Sequence, residues 1–106
     1  MYIVISAQYP TDKGMEVAKK YLEAIKKYPP DETLGSMVLP GAVTTTQQGV
    51  RTLGVVEVKE GKLEQALKYT ATIMAQYHSI VGHEYSVRVY FSVAEAMANV
   101  GMSLPK

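Results

Sequence analysis

HEYSVRVYFSV, residues His83 to Val93, is the most regular stretch of the 106-residue chain. His83, Tyr85, Val87, Val89, Phe91 and Val93 alternate with Glu84, Ser86, Arg88, Tyr90 and Ser92. A period of two sends successive side chains to opposite faces, so this stretch reads as a strand. One face of that strand is apolar and the other is mixed. A sheet built around it hides one face and leaves the other open.

Earlier segments supply the rest of the sheet. Tyr2 to Gln8 is short and β-branched, which predicts a first strand. Leu34 to Thr46 reads as a second strand, broken by Pro40-Gly41 and therefore placed at a sheet edge. Gln47-Gln48-Gly49 is its hairpin turn, and Val50 to Lys59 is a third strand. The last strand is followed by Ser92-Val-Ala-Glu95, which has the spacing of a capping box. A short helix is predicted from there over Val93 to Val100, with Gly101 just past its end.

Two longer helices separate the strands. Thr11 or Asp12 is a candidate cap for a helix over Lys13 to Tyr28, which Pro29-Pro30 ends. Met15, Ala18, Leu22 and Ile25 share one face of it, with Tyr21 beside them. A second helix is expected from Lys62 to Tyr77 or His78, with Leu63, Ala66, Leu67, Thr70, Met74 and Tyr77 as its apolar stripe.

The resulting order is βαββαβ, a single ferredoxin-like α+β domain over residues 1–106 with two helices on one face of a four-stranded sheet. Strands one and three are expected as parallel neighbours, with two and four at the edges. Ile3, Ile5, Ala7, Val56, Val58, Val87, Val89 and Phe91 suit the face under the helices. Tyr2, Val4, Ser6, Arg51, Leu53, Val55, Glu84, Ser86, Arg88 and Tyr90 fall on the opposite face, with Met37 and Leu39 as further candidates. That face is apolar enough to mark an interaction surface.

Composition narrows the function classes. The chain has no cysteine, hence no disulfide, thiolate nucleophile or cysteine metal site, which fits a reducing cytoplasm. Strand-like residues begin at Tyr2 with no basic region before them, so no signal peptide is expected. No apolar run approaches the ~20 residues of a membrane span. A net charge of +1 and a third strand without aromatic residues place nucleic-acid binding last. No phosphate-binding glycine loop, His-Glu-x-x-His or Gly-x-Ser-x-Gly is present, and no cofactor is implied.

Several residues carry candidate chemistry. Arg51 and Arg88 are the only arginines, and alternation puts both on the open face. They read either as a fork for a carboxylate or phosphate, or as members of ion pairs with Glu57 or Glu84. Tyr90, Ser86 and Ser6 on the same face offer hydroxyls to a polar ligand. His78 and His83 flank a turn, with Glu84 beside the second. They could form an acid–base pair or a metal site, but a helix-terminal and a strand-start histidine explain them better. Their spacing matches no recognised metal site, so no metal is expected.

Chain length, strand order, semi-apolar sheet face and short terminal helix resemble the dimeric α+β barrel superfamily, over Met1 to about Gly101. The resemblance implies a homodimer whose open sheet faces meet across a two-fold axis and enclose a cavity. A small molecule or a partner is then expected to bind in that cavity, an anionic one where Arg51 and Arg88 line it. The alternative is a cofactor-independent enzyme of the monooxygenase or isomerase kind, with His83, Tyr90 or Glu84 moving a proton. The chain has no tryptophan, and its only asparagine is Asn99. The asparagine-tryptophan-histidine set of haem-degrading monooxygenases therefore does not carry over.

Overall fold

The computed structural model describes residues 1–105. In chain order the elements are β1 (Tyr2–Tyr9), a 3-10 turn (Thr11–Lys13), α1 (Gly14–Lys27), β2 (Gly35–Thr46), β3 (Gly49–Val58), α2 (Leu63–Ala75), β4 (Glu84–Tyr90) and α3 (Val93–Asn99). The strands form one open sheet in the order β2-β3-β1-β4. This is the ferredoxin-like α+β fold expected from the alternation of elements.

One expectation about the sheet is corrected. β1 and β3 are neighbours, but they run antiparallel, with Tyr2 opposite Glu57 and Tyr9 opposite Val50. The reason is directional. α1 brings the chain back, so β2 runs the same way as β1. The hairpin reverses β3, which then lies antiparallel to both strands it separates.

The hairpin itself turns at Gln47-Gln48. Gly49 closes it at φ 126°, a region that L side chains rarely adopt. A Cβ there would also run into the Tyr9 carbonyl oxygen on the neighbouring strand. β2 pairs β3 with two register shifts, between Met37 and Leu39 and between Leu39 and Ala42. Pro40 sits inside the second, at the sheet edge where a missing N–H is tolerated.

The register fixes both faces. Ile3 pairs with Val56 and Val89, and Ile5 with Gly54 and Val87, all on the helix-covered side. Ile3 is fully buried and packs in one cluster with Val58 and Ala66. A second cluster, Met74, Tyr77 and Ile80, lies at the other end of α2 against Ile5, Val17 and Tyr85. Two members of the expected covered face fall outside the core: Val89 is 40% exposed and Phe91 57% exposed.

β4 is also shorter than the alternation in His83–Val93 implies. Its pairing ends at Tyr90 because Tyr90 is opposite Tyr2, where β1 begins. Beyond it Ser92 caps α3. The Ser92 hydroxyl accepts from Glu95 N at 3.1 Å, and Ser92 N donates to the Glu95 carboxylate at 2.8 Å. The expected capping box is therefore present, and it competes with strand continuation for the same backbone groups.

α1 departs from expectation in two ways. Neither Thr11 nor Asp12 caps it; the 3-10 turn intervenes, and Lys13 at the cap position makes no side-chain hydrogen bond. The helix is also rotated. Val17 packs against the Met74, Tyr77 and Ile80 cluster and Ala24 is buried, whereas Met15, Leu22 and Ile25 of the predicted stripe are exposed. At 100° per residue Val17 and Ala24 lie within about 20° of each other, and Met15 and Leu22 lie about 140–180° round the helix from them. The apolar arc is wide, and Val17 and Ala24 are the part of it turned inward.

Candidate functional site

The open sheet face is paved by the side chains of alternate residues on three strands. Gln8 is opposite Arg51 on β3 and Glu84 on β4; Ser6 is opposite Leu53 and Ser86; Val4 is opposite Val55 and Arg88; Tyr2 is opposite Glu57 and Tyr90. The six residues singled out for ligand binding (Ser6, Arg51, Glu84, Ser86, Arg88 and Tyr90) thus lie on one surface.

Two shallow hollows adjoin on that surface. One, of ≈ 230 Å³, is lined by Arg51, Gln8, Glu84, Ser6 and Ser86 among others. The other, of ≈ 250 Å³, is lined by Val4, Ser6, Leu53, Ser86, Arg88 and Tyr90. They share the two serines. Their chemistry differs: the first holds a guanidinium and a carboxylate, and the second holds a guanidinium, hydroxyls and apolar side chains but no carboxylate.

The arginines are not ion-paired in the way considered from sequence. None of the four ion pairs among the described residues includes Arg51, Arg88, Glu57 or Glu84. Arg51 instead donates through Nε to the Gln8 side-chain oxygen at 3.0 Å. Gln8 was not among the residues selected from sequence. Continuing the alternation Tyr2, Val4, Ser6 by one step points to it.

The histidines belong elsewhere. His83 and Tyr85 fall on the helix-covered side, in a stack of aromatic rings where α2 ends and β4 begins. The His83 ring lies parallel to Tyr77, with centroids 4.8 Å apart, and parallel to Tyr9 at 6.0 Å. His78 stacks on Tyr85 at 5.7 Å, and its Nε2 lies 2.7 Å from the Tyr85 hydroxyl. His83 Nδ1 is buried without a hydrogen-bond partner among the described residues. Burial pushes the His83 pKa below its usual value, and nearby His78 adds to the effect. Neither imidazole is brought to the face that carries the arginines.

Among the described residues no group of three or more His, Cys, Asp or Glu side chains is placed to hold a metal ion. No helix among them is long and apolar enough to cross a membrane.

No protein-family model matches the chain, and no curated protein matches it. Among solved structures it is similar to a formyltetrahydrofolate deformylase from Pseudomonas putida KT2440, with a TM-score of 0.52 at 6% identity. The match covers 85% of this chain and 29% of the deformylase, so the chain spans under a third of that protein. At this identity the likeness shows the fold alone, and it agrees with the ferredoxin-like order.

Proposed function

We propose that the chain binds a small carboxylate- or phosphate-bearing molecule on the open sheet face, at the hollow beside Arg88. The supporting observation is that Arg88 shares this hollow with Ser6, Ser86 and Tyr90 and with no carboxylate. A guanidinium fork matches two oxygens of such an anion, and hydroxyls can orient the remainder. Val4 and Leu53 give the same hollow an apolar wall for the rest of the molecule.

The hollow is shallow and slightly smaller than the ~300 Å³ at which ligand pockets begin. A second copy laid face to face on the sheet would deepen it, so we read the working form as a homodimer through this face. We also assign the protein to the cytoplasm, with which a chain that builds no disulfide is compatible.

The test is a thermal-shift series with inorganic phosphate and acetate at fixed ionic strength, since a ligand that prefers the folded state raises Tm. A rise in wild type that is lost in Arg88→Ala is expected. An equal rise in both, or none in either, removes the site. Light scattering at micromolar concentration is expected to give at least about twice the 11.6 kDa chain mass.

A further inference from the structure

We propose that the free edge of β4 pairs antiparallel with the same edge of a second copy, with Ser86 on the two-fold axis. This contact is separate from the sheet-face contact, and it continues the sheet from four strands to eight.

β4 ends the strand order, with β1 its only neighbour among the described residues. On its outer side no backbone hydrogen bond is recorded among the described residues. A row of unpaired N–H and C=O groups is a template for another strand. The opposite edge is blunted: β2 carries Pro40 and two register shifts. β4 has seven residues with no proline, glycine, lysine or bulge. One edge is closed to pairing and the other is left regular.

Charge selects the occupant and the register. Antiparallel self-pairing must keep residues of one face opposite each other, so the axis passes through a residue and not between two. With the axis at Ser86, Glu84 faces Arg88 of the second copy, twice by symmetry, so this edge contact and an anion in the hollow compete for the same guanidinium. Tyr85 then faces Val87 of the second copy, also twice. With the axis at Arg88 the two guanidinium groups would oppose each other. With the axis at Val87 both charges would face uncharged residues. Only the Ser86 register places each charge directly against its opposite.

Within one chain Glu84 and Arg88 do not meet. They sit four residues apart on one strand, about 13 Å. Neither enters an ion pair among the described residues. The sequence EYSVRVY is thus complementary to itself only across an axis.

The surface area allows this contact as well as the sheet-face one. A compact chain of this mass exposes roughly 5,800 Å². This one exposes 7443 Å². The excess is about twice the ~800 Å² that each partner gives to an ordinary interface.

The test is charge exchange, read by sedimentation equilibrium at fixed ionic strength. Glu84→Arg and Arg88→Glu are each expected to weaken self-association about tenfold. The double variant is expected to recover to within about threefold of wild type. An equimolar mixture of the two single variants should associate more tightly than either alone, because the mixed pair sets opposite charges against each other at both positions. Circular dichroism at high dilution confirms that each variant is folded. Should a variant fail to fold, Glu84→Gln and Arg88→Gln take its place, each expected to weaken association by a smaller factor. The proposal is overturned by a wild type that stays monomeric, by single variants that associate as wild type does, or by a double variant as weak as the singles combined. Loss of the phosphate response in Arg88→Ala with charge exchange ineffective would leave the anion site standing and remove the edge contact.

Discussion

Arg51 and Gln8 are direct partners across the β3–β1 pair, and the Arg51 Nε donates to the Gln8 side-chain oxygen at 3.0 Å. A neutral amide holds this guanidinium, with Glu84 next in the row on the far side of Gln8. Gln8→Glu would set a carboxylate against the guanidinium. The position is at the surface, so the stability change is expected within about 0.5 kcal/mol. The phosphate-induced rise in Tm is expected to match wild type, because the binding hollow is the one at Arg88. A loss as large as that in Arg88→Ala would move the site to Arg51.

Burial separates two residues that face each other on the covered side of the sheet. Ile3 is fully buried and its partner Val89 is 40% exposed. Ile3→Ala is expected to cost about 2–5 kcal/mol, since it opens a cavity between the sheet and α2. Val89→Asp leaves its charge partly hydrated and is expected to cost less, about 1 kcal/mol. Lys26→Ala, on the exposed side of α1, is expected to stay within about 0.5 kcal/mol. Urea denaturation midpoints check the order, and a Val89→Asp midpoint below that of Ile3→Ala would contradict it.

The His83 stack predicts a pH limb in stability. Its folded pKa lies below the unfolded value of 6.5 because burial disfavours the imidazolium. The unfolded chain therefore takes up the proton first as pH falls. The stabilisation is complete above about pH 6.5 and is lost as pH drops toward the folded pKa. His83→Phe keeps a ring between Tyr9 and Tyr77 and removes the titration. Tm measured from about pH 8 to pH 5 is expected to fall in wild type and to fall less in His83→Phe.

The α3 capping box predicts a local effect. Ser92→Ala removes the acceptor for Glu95 N, at a cost of about 1 kcal/mol to the helix. No residue of α3 is buried. Amide hydrogen exchange is therefore expected to accelerate over residues 95–99 while the global denaturation midpoint barely moves. A large drop in that midpoint would mean that α3 carries part of the core.

The chain's local patterns sufficed for its elements and for the sidedness of its sheet. Strict alternation in Glu84–Tyr90 and the β-branched run from Tyr2 assign each residue a face, because the pleat has a period of two whatever lies beside it. Ser92 and Glu95 specify the start of α3, because a capping box is made within four residues. Arg51, Arg88, Ser6, Ser86 and Tyr90 could therefore be put on one surface from sequence. Tertiary structure decided what depends on partners distant in sequence. It set the antiparallel sense of β1 and β3, which follows from how many times the chain reverses before it returns. It ended β4 at Tyr90, opposite Tyr2 at the start of β1, two residues before Ser92 caps α3. It turned Met15 and Leu22 outward, because a wide apolar arc on α1 does not say which part meets the sheet. It also separated His83 from the arginines and bound Arg51 to Gln8, since contacts across strands depend on register, which no single segment contains.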